Sequence, residues 1–326
     1  MISTNTHFAE KLDLLEGFIE KHSFNSHPKK LHDSVQHIMQ MKSKRIRPLL
    51  ALYAAEAFDG DAETGLGAAA AVEVFHNFTL VHDDIIDNAD LRRGNPSVHV
   101  VYGVNQAIVT GDAMIPYAYN FLLHCPESSL KSVLTIFNKA AKEVMEGQQL
   151  DIDFEDQLNV QEDEYMVMIR DKTSVLLGAS LQMGAACAGA SEADQKLIYS
   201  FGVNLGLAFQ IMDDLLDTYG EGEKVGKKIG GDILNNKKTF LMISALNQAD
   251  ESRKKDMIAL FDEKNDEVKI KAMIEHFDAL DVEKITRDKM ESLYQKALSD
   301  LDAISLPDER KQGLRELASA VYNRDF

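Results

Sequence analysis

Apolar residues recur along most of the chain at the spacing of an α-helix. Residues three or four apart share one face of a helix, whereas strand-like alternation bounded by turn residues is scarce here. The clearest apolar faces are Leu12, Leu15 and Ile19; Val72, Phe75 and Phe78; and Leu205, Phe209, Met212 and Leu216. The pattern predicts an all-α fold with roughly a dozen or more helices joined by short loops.

Composition supports one helical domain. The 326 residues are 45% hydrophobic, with six prolines and no tryptophan, and they contain no linker and no repeat of solenoid period. We therefore predict a single domain over residues 1–326. Charges interrupt every apolar stretch before the roughly 18 residues of a membrane span, so we expect no integral membrane segment. The first twenty residues lack a signal-peptide pattern, so we do not expect secretion.

Charge and cysteine content narrow the classes of partner. The formal net charge is −18, which disfavours nucleic acid as a partner and is compatible with collecting divalent cations. Cys125 and Cys187 show no metal-ligand spacing. One disulfide is possible, but two reduced thiols in a cytoplasmic protein are the preferred interpretation.

Two matching aspartate patterns follow apolar helical segments: D-D-I-I-D at 83–87 and D-D-L-L-D at 213–217. On a helix, the first and last carboxylates of each pattern project side by side. One such pattern could be an acidic helix face in water. Its recurrence at the same spacing favours a site for Mg²⁺, which prefers oxygen ligands and often shares its coordination sphere with phosphate.

Basic residues lie close to both patterns along the sequence. One group precedes the first pattern at 44–47, and another follows it as R-R-G at 92–94. Lysines at 227–228 and 237–238 follow the second pattern. Arginine suits bidentate phosphate contacts, and lysine supplies a point charge. The combination of carboxylates and cations predicts a metal–diphosphate site. ATP-type phosphoryl transfer is disfavoured, since no GxxxxGK[ST] occurs in the chain.

Further motifs connect the chain with a known family. In order they are K-R-I-R-P at 44–48, H-N-F-T-L-V-H-D-D-I-I-D at 76–87, D-L-R-R-G at 90–94, G-D at 111–112, G-Q-Q-L-D at 147–151, K-T at 172–173, F-Q-I-M-D-D-L-L-D at 209–217, K-I-G-G-D at 228–232 and N-K-K-T at 236–239. With this set the chain resembles the trans-prenyl diphosphate synthases, which include farnesyl and geranylgeranyl diphosphate synthases. It departs at Ser43, where the family usually has glycine. The resemblance implies a helical bundle with a central substrate cavity, and a homodimer.

The resemblance also implies roles for the matching positions. Three Mg²⁺ ions would be held by Asp83, Asp87 and Asp213, supported by Asp84, Asp214 and Asp217. The allylic diphosphate would contact Arg92, Lys172, Lys228 and Lys237. Isopentenyl diphosphate would be bound by Lys44, Arg47, His76 and Arg93. Dipoles near the reacting carbons would come from Thr173 and Gln210, which join the metal-binding aspartates and Lys172 as catalytic residues.

The implied reaction joins isopentenyl diphosphate to an allylic diphosphate of C5 to C15. The allylic carbon–oxygen bond ionises, the isopentenyl double bond attacks the cation, and a proton is lost. The released diphosphate is the expected proton acceptor, so no histidine or glutamate base is needed. Water has to be excluded because it would quench the cation.

Product length is predicted from the helix that leads into the first aspartate pattern. Phe78 lies five residues before Asp83, about 7.5 Å along a helix axis. Its ring either stops the growing chain or is an ordinary core side chain. The pair of Phe78 and Thr79 with an uninterrupted D-D-I-I-D resembles short-chain, archaeal-type enzymes, so we expect a C15 or C20 product.

Three other classes of protein remain as alternatives. A non-catalytic subunit of a heteromeric prenyl synthase tends to lack aspartates or cations that are present here. Terpene cyclases use a second metal motif that mixes Asn, Ser and Glu, unlike D-D-L-L-D. Head-to-head synthases of the squalene or phytoene type lack segments such as K-R-I-R-P and L-R-R-G, which are expected for isopentenyl diphosphate.

Overall fold

The structure, a computed structural model, describes residues 6–22, 24, 27–155, 157–220 and 230–322. Nearly all of this chain is helical, so the predicted all-α fold is confirmed. The first helices are α1 (Thr6–Lys21), α2 (Lys29–Met39), α3 (Ile46–Asp59), α4 (Leu66–Ile86), α5 (Val98–Tyr102), α6 (Val104–Leu122), α7 (Leu130–Glu155) and α8 (Glu162–Ile169). The later ones are α9 (Val175–Cys187), α10 (Glu192–Tyr219), α11 (Gly231–Leu234), α12 (Phe240–Gln248), α13 (Glu251–Ala259), α14 (Asp266–Ala279), α15 (Val282–Asp302) and α16 (Asp308–Tyr322).

Shorter elements connect some of the helices. Strands β1 (Leu91–Arg92) and β2 (Asn95–Pro96) form an antiparallel hairpin between α4 and α5. A π-helical turn, Arg170–Ser174, joins α8 to α9. Short 3₁₀ turns lie at Ala62–Gly65 and Leu260–Asp262.

The chain packs into two compact units, each built from three stretches of sequence. Unit 1 comprises Met1–Asn138, Ala179–Ile198 and Ser305–Leu317. Unit 2 comprises Lys139–Gly178, Tyr199–Ile304 and Ala318–Phe326. The single domain over residues 1–326 stays a prediction.

Helix α4 is central to unit 1 and packs along α6 and α3. Its four consecutive alanines, 68–71, are fully buried. Alanine has the highest helix propensity, and its small side chain permits close approach of neighbouring helices. The turn before α4 is capped by Asp61, whose Oδ1 accepts a hydrogen bond from the backbone N–H of Glu63 at 2.8 Å. Local preference and packing therefore both favour a long helix that continues into the first aspartate pattern.

In unit 2, α10 carries the apolar face that leads into the second pattern. Ile211, Met212 and Leu216 on this face pack with Tyr165 and Phe240. Leu215 points to a second cluster, which is formed with α12 and α14. Because apolar side chains surround α10 on two sides, its polar residues at 213–217 occupy a narrow stripe.

Cys125 and Cys187 are both buried, and both are free thiols. The predicted reduced state is therefore the one the structure has, and the predicted cytoplasmic location stays a prediction. Separately, no helix within the described ranges combines the length and the apolar character that crossing a membrane requires.

Candidate active site

The first aspartate pattern lies at the C-terminal end of α4. The helix ends at Ile86, and Asp87 takes the C-cap position, where its N–H donates to the carbonyl of Asp83 at 2.8 Å. Asp87 is exposed and Asp83 is partly exposed, whereas Asp84 is 0% exposed. The pattern therefore divides into an outer pair, Asp83 and Asp87, and an inner carboxylate.

Arg92 on β1 provides the counter-charge for the inner carboxylate. Its Nε and Nη2 donate to Asp84 Oδ1 at 2.9 Å and 2.5 Å. The hairpin turn places the arginine there, since Arg93 and Gly94 both have left-handed backbones, with φ of 53° and 76°. Two consecutive positive φ angles are typical of the type I′ turn, in which glycine is favoured. The L-R-R-G motif is thus a tight turn that directs Arg92 toward Asp84.

Further guanidinium groups surround His76 on α4. Arg47 Nη1 lies 3.2 Å from His76 Nε2. Burial, followed by the charges of Arg47, Arg93, Arg92 and Arg45, holds the pKa of His76 well below its usual value. The imidazole is therefore neutral near pH 7, and the cluster as a whole is suited to a polyanion. Lys44, at the start of the same basic segment, is exposed.

Two buried polar residues on α4 connect the basic segment to the hairpin. Arg45 Nη1 donates to Glu73 Oε1, and Asn77 Nδ2 donates to the same oxygen at 2.6 Å. Arg93 Nη1 in turn donates to Asn77 Oδ1 at 3.1 Å. Burial lowers the pKa of Arg93, and the charge of Glu73 opposes this shift. The chain of contacts fixes two arginines that are 48 residues apart in sequence.

The second aspartate pattern lies within α10. Asp213 and Asp217 are partly exposed, and Asp214 is buried. Asp214 accepts hydrogen bonds from the Tyr165 hydroxyl, from the backbone N–H of Phe240 at 3.2 Å and from Gln210 Nε2 at 3.3 Å. Burial raises the pKa of Asp214 to about 7, while the Tyr165 hydrogen bond acts in the opposite direction. The inner carboxylate is again buried, but the phenol, amide and backbone N–H that donate to it carry no formal charge.

Asp217 is hydrogen-bonded to the N-terminal end of α11. Its carbonyl accepts from the N–H of Gly230 at 2.7 Å, and its Oδ2 accepts from the N–H of Asp232 at 2.9 Å. Lys237 Nζ lies 3.9 Å from Asp232 Oδ1. Lys228 lies outside the described residues, so its predicted contact with the allylic diphosphate stays a prediction.

The K-T motif occupies the π-helical turn of unit 2. Lys172 Nζ donates to Asp151 Oδ2 at 2.5 Å, which connects this motif with G-Q-Q-L-D. Gly147 makes that approach possible, since a Cβ on it would lie 2.1 Å from the backbone nitrogen of Lys172. Thr173 Oγ1 donates to Gln210 Oε1 at 3.1 Å. Thr173 and Gln210, for which the resemblance implies a shared role near the reacting carbons, are thus in direct contact. The π-helical turn itself is a feature that is frequent at functional sites.

The aspartates suit a Mg²⁺ ion that takes part of its ligands from the protein and the rest from diphosphate and water. They are less suited to an ion that is enclosed by protein ligands alone. Within the described ranges, no group of three or more His, Cys, Asp or Glu side chains is gathered to hold a metal. Mg²⁺ usually needs only one or two carboxylates, because waters and phosphate oxygens complete its shell. Asp84 Oδ2 is buried and has no hydrogen-bond partner among the described residues, which is compatible with a further ligand nearby. The donor set fits the predicted metal.

Phe78 and Thr79 lie one turn before the first pattern. Phe78 is 4% exposed and contacts the rings of Phe75 and His82, with centroid distances of 5.4 Å and 5.0 Å. Thr79 Oγ1 donates to the carbonyl of His76 at 2.8 Å. These contacts are compatible with both interpretations of Phe78, so its role in product length stays a prediction.

Sequence reasoning missed the supporting residues Tyr165, Glu73 and Asn77. Glu73 had a usable signal, because it is the only carboxylate in residues 66–82, and a carboxylate within such an apolar stretch requires a buried partner. Tyr165 had none, since its partner Asp214 is 49 residues away and no local pattern relates them.

Comparison with known proteins assigns the chain to a family. The family model described as polyprenyl synthetase matches residues 28–277. A short chain isoprenyl diphosphate synthase from Methanocaldococcus jannaschii is 43% identical over 237 residues, 72% of each chain. The solved geranylgeranyl pyrophosphate synthetase of Pyrococcus horikoshii superposes with a TM-score of 0.91 at 32% identity, over 97% of each chain. A geranylgeranyl pyrophosphate synthase from Corynebacterium glutamicum, complexed with isoprenyl diphosphate and magnesium, has a TM-score of 0.82 at 29% identity, over 97% of this chain and 96% of that one. The chain belongs to the polyprenyl synthetase family, and the predicted family is confirmed.

Proposed function

We propose that this chain is a trans-prenyltransferase that condenses isopentenyl diphosphate with an allylic diphosphate to give a short all-trans prenyl diphosphate. The observation that carries the proposal is the arrangement within unit 1. The outer carboxylates Asp83 and Asp87 end a helix whose inner face and following hairpin hold Arg92 and Arg93. Carboxylates for a metal and guanidinium groups for a diphosphate are thus built into one short stretch of chain.

Each side chain has a defined task in this reaction. Arg92, Lys172, Lys228 and Lys237 bind the allylic diphosphate, and Lys44, Arg47, His76 and Arg93 bind isopentenyl diphosphate. Three Mg²⁺ ions, held by Asp83, Asp87 and Asp213 and supported by the other aspartates, would act as Lewis acids on diphosphate oxygens. Thr173 and Gln210, already hydrogen-bonded to each other, direct their dipoles toward the allylic cation.

Preorganisation of the cations explains how the protein lowers the barrier. Charge grows on the departing diphosphate as the carbon–oxygen bond breaks. Arg92 is fixed by Asp84, and Arg93 is fixed by Asn77, so these groups need little reorganisation when that charge develops. His76 is neutral, so it contributes a hydrogen bond to isopentenyl diphosphate. It does not add an acidic imidazolium to the site. The proton released after condensation passes to the diphosphate.

The direct test is a condensation assay. The protein is incubated with isopentenyl diphosphate, Mg²⁺ and each allylic diphosphate from C5 to C15, and product length is measured by chromatography and mass spectrometry. We expect C15 or C20 product, and its loss on addition of EDTA. Absence of condensation with every primer would contradict the proposal. Dimerisation of an allylic substrate without isopentenyl diphosphate would instead favour a head-to-head synthase.

We assign the limit on product length to Phe78. Its buried ring lies on the same helix as the first aspartate pattern and packs against Phe75 and His82, where it blocks further growth along the helix. Phe78→Ala is expected to lengthen the product by at least one isoprene unit. Phe75→Ala is the matched control, since it removes a ring of equal size and burial one turn away. An unchanged product distribution in Phe78→Ala would remove the residue from this role.

We propose that the active form is a homodimer formed through α5 and α6. Five apolar side chains there are between 42% and 51% exposed, namely Val100, Val101, Val104, Ile108 and Val109. Several exposed apolar side chains on neighbouring helices are typical of a protein–protein interface. Val104→Lys combined with Ile108→Lys should convert a dimer to a monomer in light scattering, whereas Leu123→Lys, at another exposed apolar position, should not.

A further inference from the structure

Glu73 and Asn77 lie one turn apart on α4, and the reaction described above uses neither of them. Both are buried, with exposed fractions of 2% and 0%. A carboxylate and an amide in an apolar helix are costly unless their polar atoms are satisfied. Their partners are two arginines, Arg45 and Arg93, so the pair lies within the cationic part of unit 1.

The hydrogen bonds determine the orientation of the Asn77 amide. Its Nδ2 donates to the Glu73 carbonyl at 2.8 Å and to Glu73 Oε1 at 2.6 Å. Both amide hydrogens are used, which leaves Oδ1 to accept from Arg93 Nη1 at 3.1 Å. The reversed amide would direct donors at a guanidinium that can only donate. Glu73 therefore sets which end of Asn77 meets the arginine.

Arg93 is held at both of its ends. Its backbone has a positive φ of 53° in the hairpin turn, and its guanidinium is bonded to Asn77. Long arginine side chains lose considerable rotamer freedom when they bind a ligand. Fixing the guanidinium before the ligand arrives removes part of that cost.

The charges of the four residues are divided unequally. Glu73 carries the single carboxylate of the group, and it is paired directly with Arg45. Asn77 is neutral, so it positions Arg93 without neutralising it through direct contact. A diphosphate would meet the undiminished charge of a guanidinium that is already in place.

On this basis, and resting on the proposed function, we propose that Asn77 is a positioning residue for isopentenyl diphosphate. Asn77 holds Arg93 in a fixed orientation and leaves its charge available. Glu73 orients Asn77 and forms the ion pair with Arg45. The role belongs to a buried amide that has no contact with the reacting atoms, so its effect should fall on one substrate and not on the other.

The test measures binding of isopentenyl diphosphate by titration calorimetry without an allylic primer, together with KM for both substrates. Asn77→Ala should weaken isopentenyl diphosphate binding and raise its KM by roughly tenfold, as expected for loss of a hydrogen bond to a charged group. KM for the allylic diphosphate should stay within about twofold, because Arg92 is positioned by Asp84 and not by Asn77.

A second variant separates charge from position. Glu73→Gln combined with Asn77→Asp keeps the net charge and moves the carboxylate from Arg45 to Arg93. The bond to the Glu73 carbonyl is lost in this variant, because a carboxylate has no N–H to donate. Isopentenyl diphosphate binding should weaken by roughly tenfold or more, since Arg93 would be neutralised by direct contact. This double variant decides the matter if Asn77→Ala fails to fold.

Asn204→Ala is the matched control, because Asn204 is also a buried helical amide and donates to Ser200 and Asp300. It should lower Tm comparably and leave isopentenyl diphosphate binding unchanged. Binding within about twofold of wild type in both Asn77 variants would overturn the inference. A wild-type protein that neither binds isopentenyl diphosphate nor condenses it would instead contradict the proposed function.

Discussion

The two aspartate patterns share the arrangement D-D-x-x-D, but the protein supports them by different chemistry. In the first, the buried Asp84 is paired with a guanidinium, that of Arg92. In the second, the buried Asp214 accepts from a phenol, an amide and a backbone N–H. The outer aspartates of both patterns remain partly or fully exposed.

This difference shows that a recurring motif specifies which carboxylates are exposed and not how the buried one is held. Either a counter-charge or several hydrogen bonds can stabilise a buried carboxylate, and both solutions keep the outer pair in place. In the proposed site the cationic support would also add positive charge beside a diphosphate, whereas the neutral support would add none. The guanidinium groups near the two aspartate patterns therefore lie mainly in unit 1.

Substitution of the outer carboxylates should have the largest effect on turnover, and the effect should be similar in both patterns. Asp87→Ala and Asp213→Ala should each reduce turnover by several orders of magnitude, because each would remove a proposed ligand of the metal that stabilises the departing diphosphate. Steady-state kinetics at saturating Mg²⁺ measure this. Asp288→Ala, an exposed aspartate on α15, should be unaffected. Near wild-type turnover in either pattern would break the equivalence.

The inner carboxylate of the first pattern should be the more sensitive to loss of its partner. Arg92→Met should lower the free energy of unfolding by about 3 kcal/mol, since it leaves Asp84 buried without a counter-charge. Urea denaturation measures the change, and adding Asp84→Asn should restore part of it. For comparison, Arg287→Met disrupts an exposed pair with Glu283 and should cost about 0.5 kcal/mol or less.

The neutral support of the second pattern should give a smaller loss. Tyr165→Phe keeps the ring in the core and removes one of the donors to Asp214, so the free energy of unfolding should fall by about 1–2 kcal/mol. The same urea experiment applies, with Tyr119→Phe as a control, because its hydroxyl bonds at the surface to Asn138. A larger loss in the free energy of unfolding for Tyr165→Phe than for Arg92→Met would show that the neutral support is the stronger of the two.

The smallest expected effect is on the pH dependence of stability, through the depressed pKa of His76. Its pKa is depressed in the folded protein, so below the unfolded-state value of about 6.5 the unfolded chain binds the extra proton. The contribution of His76 is therefore complete above pH 6.5 and is lost as pH falls toward the folded-state pKa. Between pH 6.5 and 5.5, stability should drop by about 1 kcal/mol more in wild type than in His76→Gln. Identical pH profiles in urea denaturation would show that burial and the neighbouring arginines do not depress the pKa of His76.

Much of the fold and of the candidate site was predictable from local patterns. The apolar spacing at 72–78 and 205–216 predicted α4 and α10, because a period of 3.6 residues is visible along the sequence itself. The turn at Arg93 and Gly94 was recognisable as a break, although its hairpin and its contact with Asp84 were not. Thr173 and Gln210 were assigned to one task by resemblance alone, and their hydrogen bond became visible only in the folded chain.

Periodicity and the order of residue types were enough to predict the helical class, the two aspartate patterns and the cations that accompany them. Which carboxylate of each pattern is buried, and which groups satisfy it, depends instead on how the chain folds. Tyr165 reaches Asp214, and Arg45 reaches Glu73, across 49 and 28 residues of chain. Such contacts arise because buried polar groups require partners, and which partner is available depends on how the helices pack.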